Sequence, residues 1–126
     1  TPLEPSRLPN GQLNVSYARL PAHLEIAALI RAAEAKGGFA TVLNKGERDA
    51  GVILLLSIEP DGHTKLWERM PRLDGKRVFE AVRERDSQSP QAFDDSIARR
   101  IASDRDVWVL ELCVADAQRF IADFAA

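Results

Sequence analysis

Two histidines, one cysteine and one carboxylate inside an apolar run are the residues of this 126-residue chain whose types suit chemistry. Glu111 interrupts Asp106-Val107-Trp108-Val109-Leu110-Glu111-Leu112-Cys113-Val114, a strand with apolar residues on both faces. Such a strand is covered on both sides, so its carboxylate must be paired or protonated. By alternation Glu111 projects on the Val107, Val109 and Cys113 side. One reading makes it an acid/base group or ligand anchor on the floor of a pocket with Trp67, Arg69 and Trp108. The plainer reading pairs it with a neighbouring-strand cation, Arg69 or Arg83. No second carboxylate stands at catalytic spacing, and this favours the plainer one.

Cys113 lacks the exposed, electropositive setting and histidine partner of a nucleophile, and reads as a small buried hydrophobe. As the single cysteine it excludes an intrachain disulfide and a multi-cysteine metal site. His23 and His63 have no carboxylate or thiol at ligand spacing and read as surface residues, so neither a metal nor a cofactor is expected. Lys45-Gly46-Glu47-Arg48-Asp49-Ala50-Gly51 spaces its glycines like a phosphate loop. Val52-Ile53 stand where lysine and a hydroxyl should follow, and Glu47 and Asp49 would repel phosphate, so it reads as an ordinary loop between strands.

Charge is distributed unevenly. The net charge of -2 argues against bulk attraction to nucleic acid or anionic membrane. Yet residues 63–85 hold seven basic residues against four acidic ones, with Lys65, Arg72, Lys76, Arg77 and Arg83 forming a candidate basic surface. With Trp67 and Phe79 interleaved, the hairpin over 64–83 could stack on single-stranded nucleic acid. Glu68 and Glu80 inside the patch favour a solvated sheet face instead, and nucleic acid is not the expected partner.

The elements that must position these residues follow from periodicity and punctuation. Residues 1–19, with Pro2, Pro5, Pro9 and Gly11, read as an extended or flexible arm, although Leu13, Val15 and Tyr17 alternate like a short edge strand. A single domain over 20–126 follows. Its first helix runs from Ala22 to Lys36 and stops at Gly37-Gly38, with Leu24, Ile26, Ala27, Leu29, Ile30 and Ala33 inward and Glu25 off that face. Strands are expected at Phe39 to Asn44, Gly51 to Ile58, Thr64 to Met70, Arg77 to Arg83 and Val107 to Val114. Asp74-Gly75 reads as a two-residue turn that sets Arg69 against Glu80, because a three-residue turn would oppose Glu68 and Glu80. Ser89-Pro90 opens a second helix carrying Phe93, Ile97 and Ile101, with Asp95 and Arg99 spaced to pair. Ala117, Phe120, Ile121 and Phe124 line a third. The order α-β-β-β-β-α-β-α predicts an α+β fold, a largely antiparallel five-stranded sheet with helices packed on it. Its core centres on Val109, Leu110, Leu112, Ile53, Leu55, Ile26 and Ile30.

Several of these segments, in this order, resemble a family of small bacterial proteins, the domain-of-unknown-function 1491 family. They are Arg19-Leu20 with its helix, Gly38-Phe39-Ala40-Thr41-Val42 through Lys45-Gly46 to Asp49-Ala50-Gly51-Val52, Glu68-Arg69 to Leu73-Asp74-Gly75, and Asp106 to Glu111. The resemblance implies a bacterial cytoplasmic protein of one α/β domain, and it supplies no catalytic residue, cofactor or substrate to carry over. The leading functional reading is a non-enzymatic interaction or accessory module, with a protein partner or self-association and no membrane association. The alternatives are a ligand-binding protein or enzyme using Glu111, and single-strand binding by the basic hairpin.

Overall fold

The computed structural model describes residues 20–125, so the arm and its Leu13, Val15 and Tyr17 alternation lie outside the described residues. The elements are α1 (Ala22–Ala35), β1 (Phe39–Asn44), β2 (Ile53–Ile58), β3 (Thr64–Pro71), β4 (Arg77–Glu84), α2 (Pro90–Ser103), β5 (Trp108–Cys113) and α3 (Ala117–Ala125). Class and order are those expected. The sheet order is β1-β5-β2-β3-β4, with only β2 and β5 parallel. These two central strands are the ones with apolar residues on both faces, as burial on both sides requires. Leu54, Leu55, Val109, Leu110 and Leu112 are fully buried.

Strand alternation divides the core in two. Ile53, Leu55, Trp108, Leu110 and Leu112 face α1 and α3 and pack with Ile26, Leu29, Phe120 and Ile121, and Ile30 lies against this cluster. Leu54, Leu56, Leu66, Val107 and Val109 face α2, whose Phe93, Ile97 and Ile101 cover them. Helices therefore lie on both faces. The apolar stripe of α2 is narrow because it covers only the middle of its face.

α1 is rotated from its expected setting. Ala22, Glu25, Ile26, Leu29 and Ala33 are buried, whereas Leu24 is exposed. The reason is Arg69, which reaches Glu25 from β3 and makes an inward carboxylate tolerable. Ser89 precedes Pro90 as expected, but its side chain makes no capping hydrogen bond.

The hairpin register also departs from expectation. Glu68 opposes Glu80 and Arg69 opposes Phe79, with a three-residue turn Leu73-Asp74-Gly75. Gly75 N–H donates to the Arg72 carbonyl at 3.0 Å, and Arg72 N–H donates to the Lys76 carbonyl at 2.7 Å. Gly75 has φ +83°, the left-handed residue that such a turn needs. The carboxylate opposition is relieved from a third element: Arg100 of α2 donates to Glu68 at 2.8 Å. In this register the Arg69 guanidinium lies 4.5 Å from the Phe79 ring centroid, a cation–π contact.

Candidate functional site

The four residues expected around one pocket are not brought together. Glu111 lies on the α2 side of β5, and Trp108 on the opposite side by alternation. Trp67 joins Trp108 in the α1–α3 core, where its indole N–H donates to Ser57 at 2.9 Å. Arg69 is engaged with Glu25. Glu111 sits beside Thr41 of β1 and Leu56 of β2, half-buried rather than enclosed. Among the described residues it forms no ion pair with Arg69, Arg83 or any other cation, so neither reading of Glu111 holds as stated. The partial exposure explains this, because a carboxylate that keeps water needs no cation.

Cys113, two residues on, is half-buried rather than enclosed, with Sγ 3.9 Å from Glu111 Oε1. Burial pushes its thiol pKa up, and the adjacent Glu111 carboxylate pushes it further. The thiolate is thus suppressed from two sides. At about pH 8, alkylation of Cys113 in the folded chain is expected to run several-fold slower than that of an unperturbed cysteine. A mass-spectrometric time course checks this, and a rate equal to that of the urea-unfolded chain would contradict it.

The histidines are rim residues. His23 is half-buried, with Nδ1 3.1 Å from the Arg48 carbonyl and 3.8 Å from Asp49. His63 is exposed and pairs with Glu84.

The glycine-spaced loop 45–52 is a clasp around Trp108. The indole N–H donates to the Glu47 carbonyl at 2.6 Å, and Trp108 N–H donates to the Val52 carbonyl at 2.7 Å. A Cβ on Gly46 or Gly51 would collide with the Asp106 carbonyl and stand 2.7 or 2.8 Å from the indole Cδ1. The glycines admit the chain to the tryptophan, not to a phosphate. The same loop seats α1, because Ala22 and His23 N–H groups donate to the Asp49 and Arg48 carbonyls at 2.9 and 2.8 Å.

Between this loop, the start of α1 and β3 lies a cavity of about 270 Å³, lined by Leu20, Pro21, Glu25, Asp49, Ala50 and Arg69 among others. Its charged wall is the Glu25–Arg69 pair, joined by two guanidinium nitrogens, one of them at 3.1 Å. Sequence reasoning placed Glu25 outside the core. The available signal was spacing, since Glu25 falls inside the stripe Ala22, Ile26, Leu29, Ala33.

The five cations of the expected basic surface do not share a face. Arg72 and Lys76 are exposed at the β3–β4 turn. Lys65 and Arg77 alternate with the residues that face α2, whereas Arg83 opposes Leu66 on the α2 side. Trp67 and Phe79 are 7% and 8% exposed and offer no stacking platform. Arg83 instead meets Arg99 and Arg100 of α2 along a groove.

The two sheet edges differ in chemistry. β4 carries Arg77, Glu80, Arg83 and Glu84, charges that discourage pairing with another strand. β1, Phe-Ala-Thr-Val-Leu-Asn, has no charge, and its Phe39, Val42 and Leu43 are 59%, 38% and 49% exposed.

Comparison with known proteins agrees with this architecture. No curated protein matches the chain. A crystal structure of a DUF1491 family protein from Caulobacter crescentus is 35% identical, covering 81% of this chain and 94% of its own, with a TM-score of 0.65. An NMR structure of a DUF1491 family protein from Caulobacter crescentus is 32% identical over 81% of this chain and 92% of that one, TM-score 0.67. A solution structure from A. tumefaciens is 28% identical over 82% and 92%, TM-score 0.65. The family model described as a protein of unknown function, DUF1491, matches residues 20–122, and the chain belongs to that family.

Proposed function

We propose that this chain is a non-enzymatic interaction module of the bacterial cytoplasm whose partner is a second copy of itself, paired along β1. One observation carries this reading: among the described residues β1 is a six-residue edge strand without charge, with Phe39, Val42 and Leu43 exposed, and the other edge is charged. An edge with unpaired backbone groups and no gatekeeper is a template for another strand. A copy supplies one of matching character. Antiparallel pairing about a two-fold axis brings uncharged residues against uncharged residues, with Phe39 of each copy beside the Val42–Leu43 end of the other. Two five-stranded sheets then become one of ten strands. The A. tumefaciens and C. crescentus relatives support the bacterial setting, and a lone thiol suits a reducing compartment.

Light scattering behind size exclusion tests it. A mass near twice 13.9 kDa is expected for the native chain, and a mass near 13.9 kDa for Leu43→Lys with unchanged thermal unfolding. Lysine at an edge position opposes strand addition. A native chain that stays monomeric up to millimolar concentration would sink the reading.

A further inference from the structure

We infer that the groove between α2 and the β3–β4 hairpin is an oxyanion site that takes a phosphoryl group. The groove holds about 440 Å³ and is lined by Arg83, Arg99 and Arg100, by Ser96 and Ser103, and by Leu66, Val82 and Glu68. Two clamps tie α2 to the hairpin, one of them within the groove. At one, Arg85 makes two hydrogen bonds to Asp94, at 3.0 and 3.1 Å. At the other, Arg100 donates to Glu68 at 2.8 Å. The helix and hairpin walls are therefore held apart at a set distance.

Three guanidiniums face one carboxylate in this groove, in a chain of net charge -2. Glu68 is taken by Arg100. Among the described residues neither Arg83 nor Arg99 forms an ion pair. Asp95, spaced to pair with Arg99, instead accepts from Gln91 at 2.8 Å. Glu80, on the same side of the hairpin as Glu68, is exposed and likewise forms no ion pair with either arginine. Two unpaired arginines thus stand on opposite walls, one on β4 and one on α2.

This arrangement selects among anions. A planar carboxylate is satisfied by a single guanidinium fork, as at Arg85–Asp94. A tetrahedral dianion presents oxygens in several directions and can be gripped from both walls at once. Ser96 and Ser103 hydroxyls donate to the Phe93 and Arg100 carbonyls at 2.7 and 3.2 Å, and a χ1 change would offer either to a phosphoryl oxygen. Leu66 and Val82 give the groove an apolar floor for whatever the phosphoryl group is attached to. This site is independent of β1 and of self-association.

The test is an NMR titration of the isotope-labelled 126-residue chain with inorganic pyrophosphate, against sodium chloride at matched ionic strength. Saturable shifts are expected at residues 66–68, 82–83 and 96–103, and the Arg83→Gln/Arg99→Gln variant is expected to bind at least about tenfold more weakly. Arg31→Gln, an exposed change on α1, should bind like the native chain. Adenosine monophosphate and a short single-stranded RNA, added separately, identify the source of the phosphoryl group. Tighter binding of the mononucleotide assigns a small organic phosphate. Tighter binding of the RNA, lost with the same two arginines and steeply salt-dependent, assigns a strand. Shifts reproduced by chloride, or unchanged in the double variant, would overturn the site.

Discussion

Trp108→Ala is expected to destabilise the chain by about 4 kcal/mol, the range for emptying a buried aromatic site. The side chain is 5% exposed and belongs to the core that faces α1 and α3. Its loss removes more than volume. The Glu47 carbonyl loses its donor, and Gly46 and Gly51, which admit the loop to the indole, are left against a void. Because that loop also accepts from the first N–H groups of α1, the helix start should loosen with it. Trp108→Phe keeps most of the apolar contact and loses the hydrogen bond, so about 1–2 kcal/mol is expected. Urea unfolding followed by circular dichroism, with Trp67 fluorescence as a second probe, measures both. A cost below about 1 kcal/mol for the alanine variant would mean that the clasp does not organise this end of the sheet. Amide exchange at Ala22 and His23 separates the two contributions, since a simple cavity would leave their protection intact.

The fold was legible wherever a local signal agreed with a tertiary one. Gly51 to Ile58 and Val107 to Val114 are apolar on both faces, and the two strands they contain are the central parallel pair. Gly37-Gly38 ends α1 as expected, and Phe93, Ile97 and Ile101 meet the sheet through the face expected of them. The hairpin register was not legible, because pairwise charge was weighed without Arg100, which lies 32 residues from Glu68. The inward turn of Glu25 was hidden for the same reason: Arg69 is 44 residues away. In both cases a charge that disfavours an arrangement locally is neutralised by a partner that only the fold supplies.

The candidate site was less legible still. Glu111 drew attention as a carboxylate in an apolar strand, but the neighbour that decides its burial is β1, an edge strand that leaves that side open. Composition of β1 alone does not show that it is an edge; the strand order does. Likewise the basic residues of the hairpin read as one patch in sequence, while alternation sends them to different faces and α2 supplies the two arginines that Arg83 meets.

The buried pair itself yields the second large effect. Arg69→Met is expected to cost about 3–5 kcal/mol, because it leaves Glu25 with a side chain 12% exposed and no compensating cation among the described residues. Glu25→Leu should also destabilise, but by less, since the guanidinium is 22% exposed and keeps its contact with Phe79. The two losses should not add. With both charges gone, the desolvation of two ions is relieved and the site becomes apolar beside Phe79. The Glu25→Leu/Arg69→Met variant is therefore expected near native stability, so that the coupling in a double-mutant cycle approaches the sum of the two single losses. Exposed pairs such as Arg119–Asp123 should couple by less than about 1 kcal/mol and weaken with salt. The Glu25–Arg69 coupling should persist from low to high ionic strength, since solvent screening reaches it poorly. Additive losses would mean that each residue is held by something other than its partner, and that the rotation of α1 has a different cause. A double variant as stable as the native chain would show that the pair sets the orientation of α1 without adding net stability.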